Sequence, residues 1–268
     1  VDTKLTESLA STKVGQYRYF DSIESTNNEA LKWAESGAPD FSLVIADEQT
    51  RGRGRFDRHW VTRPGTSLAF SLVLQPAELE KQNIALYSPL CGVAVYEAVT
   101  CLLNMGAEIK WPNDVLHNRK KFCGILVEAV WNGSNLRGIV LGVGINVSSD
   151  SVPAGEDQNF PATCLETAVG HSVDRYIVLQ HVLNAIDKWR KQIGSPEFMA
   201  LWAENLAFKG EWVRIEHSEK PSIMGKVKGI DHLGRLVLAD ENGTETCVET
   251  GDVHLRPDTP DDPGGLNA

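Results

Sequence analysis

The sequence predicts an α+β protein: a main domain over residues 1–209, in which strands form a sheet with helices against it, followed by a small β-barrel over residues 210–256. Two observations carry this. Up to Ser195-Pro196-Glu197, which opens a helix, capped helical segments alternate with short apolar strands. From Gly210 helices cease, and "EWVRIEH", "IMGKVKGI", "RLVLAD", "TETCVET" and "DVHLRP" follow as five short alternating strands divided by glycine and aspartate turns. The tail 257–268, "PDTPDDPGGLNA", has the composition of a disordered segment.

Along the main domain, Thr26-Asn27-Asn28-Glu29 has the spacing of a capping box, so a helix is expected directly after Ser25, closing at Gly37. "LVIADEQ" (43–49) reads as a strand delivering its end to "RGRGRFDRHW" (51–60), and "SLAFSLVL" (67–74) as a buried strand after it. The apolar run 84–103 contains Pro89 and Glu97; Ser88-Pro89 resembles an N-cap with proline at the first helical position, and a buried helix is expected there rather than a membrane span. "AEIKWPNDVL" (107–116) is a strand interrupted by Pro112, with a turn at Asn113-Asp114. "KFCGILVEAV" and "RGIVLGVGINV" flank a hairpin turn, and 175–193 repeats apolar positions at helical spacing.

Composition narrows the function. The 268 residues carry a formal net charge of -10, which argues against a general nucleic-acid or membrane-surface binder. Five widely spaced cysteines without a Cys-x-x-Cys pair read as reduced thiols of a cytoplasmic protein, and the seven histidines show no metal-binding spacing. The first twenty residues contain no apolar signal segment.

Against that acidic background, residues 51–60 hold four arginines and two glycines. An Arg/Gly cluster alone is also what a solvated loop looks like. Three more polar constellations stand at strand ends or turns: Ser25-Thr26-Asn27, Lys110 to Asp114, and Lys121 to Gly124. Separately they read as caps, turns and surface lysines. Together they offer neutral hydrogen-bonding groups, cations for phosphate or carboxylate, and one carboxylate suited to magnesium, the set needed to activate a carboxylic acid with a nucleotide. "LGVGINV" (141–147) is not a dinucleotide fingerprint, since its third glycine position is Val147 and it alternates as a strand. Its glycines suit either close backbone approach to a flat ring or sugar, with Asn146 beside it, or packing under a helix.

"ESTNNEA", "ADEQTRGRGRFDRHW", "KWPNDV", "KKFCGILVE", "LGVGINV" and "GDVHLR", in that order from residue 24 to 256, resemble the biotin protein ligases. The resemblance implies a mixed-sheet catalytic domain followed by an SH3-like barrel. It also implies ATP-dependent formation of biotinyl-5'-AMP and transfer of biotin to a lysine of a biotin carboxyl carrier domain of biotin-dependent carboxylases. Only 24 residues precede Ser25, so the type without an N-terminal DNA-binding domain, and no nucleic-acid partner, is expected.

By the same resemblance, Ser25, Thr26, Asn27 and Gln49 lie near the biotin ring, and Gly124 lets backbone approach the ligand. Gly52, Arg53 and Arg55 belong to a mobile loop that closes over biotin and adenylate. Lys121 is a point charge between carboxylate and phosphate. Trp60, Lys110, Asn113 and Asn146 fall on the nucleotide side, Trp60 being equally readable as a core tryptophan. Asp114 orients magnesium, orients Lys121, or helps remove a proton from the acceptor amine; the resemblance leaves the choice open. Cys123 is a spectator. Where many bacterial relatives carry a basic residue and then glycine, this chain has Phe56-Asp57, which removes a positive charge from the loop. A lipoate ligase and, more remotely, a nucleic-acid-binding module are the alternatives. Self-association into a homodimer through an exposed sheet edge stays open.

Overall fold

The computed structural model describes residues 3–56, 58–78, 80–152, 161–216 and 221–255; the expected tail and Asp57 lie outside them. In chain order the elements are α1 (Thr3–Ala10), β1 (Tyr17–Ile23), α2 (Thr26–Glu35), β2 (Ser42–Gln49), β3 (Gly52–Arg53), β4 (His59–Trp60), β5 (Ser67–Leu74), α3 (Tyr87–Leu103), β6 (Glu108–Lys110), β7 (Asp114–His117), β8 (Lys120–Asn132) and β9 (Asn135–Asn146). The helices α4 (Leu165–Val169), α5 (Arg175–Arg190) and α6 (Pro196–Glu204) follow, then β10 (Trp212–Glu216), β11 (Ile223–Ile230), β12 (Leu236–Ala239), β13 (Glu245–Val248) and β14 (Asp252–Leu255).

Seven strands form one mixed sheet in the order β1-β2-β5-β9-β8-β7-β6, with β1 parallel to β2 and the other pairs antiparallel. Side chains alternate across it with the period of two that strands impose. On β2 and β5, Leu43, Ile45, Phe70, Leu72 and Leu74 enter the main core, which includes α3 and α5. Val44 and Val73 point the other way and pack with Val130 and Val140 under Ala30, Trp33 and Ala34 of α2. The sheet is thus covered heavily on one face and only in part, by α2, on the other.

The segment 84–103 is helical as expected and buried over most of its first three turns, because a helix apolar all round has no solvent face to offer. Its start differs from the Ser88-Pro89 expectation. A 3-10 stretch, Glu80–Leu86, runs directly into Tyr87, so chain continuity replaces a side-chain cap. The Ser88 hydroxyl instead donates to the Pro112 carbonyl at 2.9 Å, in the turn that joins β6 to β7.

The last five strands are present where the alternation placed them and pair antiparallel in the order β13-β12-β11-β10-β14. Among the described residues no β13–β14 pairing closes them, so the unit is an open sheet. The first three residues of β13 are exposed, as expected for an edge strand.

Candidate functional site

Beyond the N-terminus of α2 the uncovered sheet face changes character. Ser71, Gly142 and Leu126 lie in one cross-strand row, and Ala69, Gly144 and Gly124 in the next. Small residues replace the valines that fill the space under the helix, leaving a hollow of about 110 Å³. Ser25, Thr26, Asn27, Gln49, Arg53, Arg55, Trp60, Asn113, Lys121 and Gly124 all line it, so chemistry scattered over a hundred positions of sequence converges there.

At one end sit neutral polar groups. Ser25 occupies the N-cap of α2 in extended conformation but makes no capping bond with its side chain. The capping box expected of Thr26 and Glu29 is not formed: Glu29 is taken by Arg18 at 2.6 Å, and both the backbone N–H and the hydroxyl of Thr26 donate to Gln49 Oε1, at 2.8 and 3.0 Å. Asn27 Nδ2 donates to the Leu126 carbonyl (3.1 Å) and to Glu128 Oε2 (2.9 Å), while its Oδ1 accepts from the Ser71 hydroxyl at 2.5 Å. A Cβ at position 142 would collide with the Asn27 side chain, so Gly142 is what admits it.

The arginine segment crosses the hollow as a hairpin. Gly52 pairs with Trp60 and Arg53 with His59, and the Gly54 N–H donates to the Arg58 carbonyl at 2.7 Å across the tip. Phe56 takes a left-handed φ of 52° there and is exposed, with the Arg55 guanidinium 4.8 Å from its ring. Arg53 is bound by Glu128 at 2.5 Å rather than left free for an anion. Arg55 reaches Asn113 Oδ1 (3.3 Å) and the Gly251 carbonyl (3.4 Å), and Arg58 is ion-paired with Asp252. The hairpin is therefore moored to both sheets. Burial lowers the Arg55 pKa, Asp114 counteracts that, and Arg58 adds to it.

At the base of the hairpin Trp60 lies against two glycines: a Cβ at 144 would stand 2.5 Å from its Nε1, and one at 124 would stand 2.9 Å from its ring. The glycines of "LGVGINV" face the protein's own groups, Gly144 the Trp60 indole and Gly142 the Asn27 side chain of α2. Trp60 Nε1 is buried without a hydrogen-bond partner among the described residues, and Lys121 Nζ sits 5.6 Å from the ring centre.

The other end is ionic. Asp114 is buried between Lys121, whose Nζ is 2.7 Å from Oδ1, and Lys110, 3.6 Å from Oδ2. Burial alone would raise the Asp114 pKa, but Lys121 and then Lys110 outweigh it and hold the carboxyl below its ordinary value. Burial depresses Lys110, with Asp114 opposing and Lys121 adding to the depression. A carboxylate already flanked by two ammonium groups does not fit a magnesium ligand, since the dication would face both of them, and among the described residues no cluster of His, Cys, Asp or Glu forms a metal cage.

Several expected residues act from behind the lining. Gly52 accommodates the β3–β4 pairing, Lys110 and Asp114 back Lys121, and Asn146 Nδ2 is spent on the Thr163 carbonyl at 3.0 Å. Asn113 is tied to β8 through the Ile125 carbonyl at 2.9 Å. Cys123 is fully buried and burial pushes its thiol well above the ordinary value, which suits a spectator. Sequence reasoning missed Arg58, Ser71, Leu126, Glu128 and Asp252. The available signals were a serine and a glutamate inside otherwise apolar strands, "SLAFSLVL" and "GILVEAV".

Residues 19–146 match the model of the "Biotin/lipoate A/B protein ligase family". The bifunctional ligase/repressor BirA of Bacillus subtilis is 33% identical over 261 residues, covering 94% of this chain and 79% of that protein. The biotin–[acetyl-CoA-carboxylase] ligase of Paracoccus denitrificans is 33% identical over 228 residues, covering 83% and 93%. Among solved structures, the biotin protein ligase from Aquifex aeolicus in complex with biotin and ATP superposes with a TM-score of 0.77 at 28% identity, covering 90% of this chain and 99% of that one. With two relatives a third identical and matched over most of their lengths, the chain belongs to the biotin/lipoate A/B protein ligase family.

Proposed function

We propose that this chain is a biotin protein ligase that joins biotin to ATP as biotinyl-5'-AMP and passes the biotinyl group to a lysine of a biotin carboxyl carrier domain. The observation that carries the reading is one hollow with neutral donors and acceptors at one end (Thr26, Asn27, Gln49) and cations at the other (Arg55, Lys121). Biotin has that polarity: an uncharged ureido ring and a carboxylate tail.

In the first step a biotin carboxylate oxygen attacks the α-phosphorus of ATP and pyrophosphate leaves. Two unit negative charges 4 Å apart repel by about 4 kcal/mol even at an effective dielectric of 20. Lys121 and Arg55 offset this, Lys121 as a charge oriented by Asp114 and Arg55 as a fork steadied by Asn113 and Gly251. Magnesium, if bound to the nucleotide's phosphates, would offset their charge beside Lys121 and Arg55, and Asp114, paired with two lysines, would not hold it. The hairpin and Trp60 shield the mixed anhydride from water. In the second step the uncharged ε-amine attacks the acyl carbon and AMP leaves. Asp114, held low by its lysines, is a poor base and serves to position them.

The unit of residues 1–209 carries the chemistry, and residues 210–256 correspond to the SH3-like module, which contributes Gly251 and Asp252 to the hairpin's anchorage. The carrier is a carboxylase domain, and the protein is cytoplasmic, in keeping with five free cysteines.

The test is exchange of labelled pyrophosphate into ATP. Strong exchange with biotin, little with lipoate, and a loss of about 10²–10³-fold in Lys121→Ala are expected. Folded protein without biotin-dependent exchange overturns the reading. Lipoate has no ureido group to satisfy Thr26, Asn27 and Gln49, so preference for lipoate overturns the substrate assignment.

A further inference from the structure

Glu128 does not line the hollow, yet one of its oxygens holds two parts of the site. Oε2 accepts from Arg53 Nη2 at 2.5 Å and from Asn27 Nδ2 at 2.9 Å. We propose that Glu128 is a positioning residue that couples closure of the arginine hairpin to the orientation of Asn27, and thereby sets affinity for biotin. The proposal rests on the ligase reading of the hollow.

Three features support it. Glu128 stands in the row of Val73 and Val140, on the apolar face covered by α2. A carboxylate placed there, its side chain only 25% accessible, is costly unless paired, and Arg53 is its ion-pair partner. Second, Glu128 joins the Leu126 carbonyl in fixing which way the Asn27 amide faces. Nδ2 meets two acceptors, the Leu126 carbonyl and Glu128 Oε2, while Oδ1 meets the Ser71 hydroxyl; a flipped amide would set its oxygen against a carbonyl and a carboxylate. Third, the two partners belong to separate elements, β3 of the hairpin and the first turn of α2, and β8 supplies the shared acceptor. Opening the hairpin removes the cation from Oε2 and leaves a partly buried carboxylate bonded to Asn27 alone, so hairpin and amide are stabilised together.

The experiment compares wild-type protein with Glu128→Gln, Glu128→Asp, Arg53→Gln and the double variant Arg53→Gln/Glu128→Gln. Readouts are biotin binding by calorimetry, KM for biotin and kcat in pyrophosphate exchange, and tryptic cleavage at the hairpin arginines. Glu128→Gln is expected to weaken biotin binding and raise KM about tenfold, the worth of one charge-assisted hydrogen bond, with a smaller change in kcat and faster cleavage. Glu128→Asp, which keeps the charge, should recover part of the affinity. The double variant should lose less than the product of the single losses, because both remove one interaction. Wild-type affinity and protection in Glu128→Gln, or fully multiplicative losses, overturn the inference. If Glu128→Gln does not fold, Glu128→Asp decides it: a KM for biotin raised more than kcat falls, with faster cleavage, supports the coupling, and wild-type values overturn it. No biotin binding by wild type overturns the ligase reading itself, whereas binding that Glu128→Gln leaves unchanged overturns this inference alone.

Discussion

Lys121 Nζ lies 2.7 Å from Asp114 Oδ1, with the carboxylate almost wholly shielded from solvent. The same carboxylate faces Lys110 at 3.6 Å and opposes the burial that depresses the Lys110 pKa.

Asp114→Asn therefore should move the alkaline limb of the pyrophosphate-exchange rate to lower pH. Lys110 already sits below its ordinary value through burial, and losing Asp114 removes the charge that pulls it back up. A pH–rate profile of the two proteins checks this; a limb that stays put or moves upward contradicts the arrangement. The same carboxylate governs acid stability. Its folded pKa lies below the ordinary 3.8, so its stabilising contribution is complete above that value and fades as pH falls through the lower folded one. Acid unfolding of Asp114→Asn should lack that component.

Gly144→Val tests the seat of Trp60. The added side chain starts 2.5 Å from the indole nitrogen, so the ring must leave or the strand must shift, at about 1–3 kcal/mol. A lower melting temperature, red-shifted tryptophan emission and loss of biotin-dependent exchange are expected. Seven tryptophans contribute to emission, so Trp60→Phe provides the reference spectrum. An unchanged spectrum in Gly144→Val places the indole elsewhere.

Thr26→Val keeps the shape of the side chain and its backbone bond to Gln49 but deletes the 3.0 Å hydroxyl bond to Gln49 and the 2.8 Å bond the hydroxyl accepts from Ser71. A neutral hydrogen bond of this kind contributes about 0.5–1.5 kcal/mol, so the KM for biotin should rise roughly two- to tenfold while the KM for ATP holds. A rise confined to ATP would reverse the assignment of the two ends.

Asp252→Asn removes the anion that Arg58 pairs with and that lies 3.9 Å from Arg55. The Arg58 side chain is 45% accessible and can turn to water, while the introduced asparagine stays neutral in a site only 13% accessible, so global stability should change by about 1 kcal/mol. The hairpin, however, loses its ion pair to the second sheet and keeps only the Arg55 bond to the Gly251 carbonyl, and trypsin should cut it several-fold faster. Equal cleavage rates would mean that Arg53–Glu128, Arg55–Gly251 and the hairpin's own backbone bonds hold it without Asp252.

Helices and strands were legible because their signals are local. Alternation in "SLAFSLVL", turns rich in glycine, and apolar spacing over 175–193 each encode themselves within a few residues. Two local signals misled. Thr26 and Glu29 have capping-box spacing, yet Gln49 and Arg18 compete for them; Ser88-Pro89 looks like a helix start, yet the chain enters already wound. In the first case partners outside the helix offered the better bond; in the second the adjoining turn left no end to cap.

Taken alone, the sequence singled out Thr26, Gln49, Arg55 and Lys121, which stand in or beside the ends of regular elements. It could not determine who pairs with whom. That Ser71, Gly142 and Leu126 share a row, that Glu128 pairs with Arg53, and that no β13–β14 pairing closes the last five strands among the described residues depends on strand order and register. Those are settled by the burial of whole faces, a property no stretch of a few residues possesses.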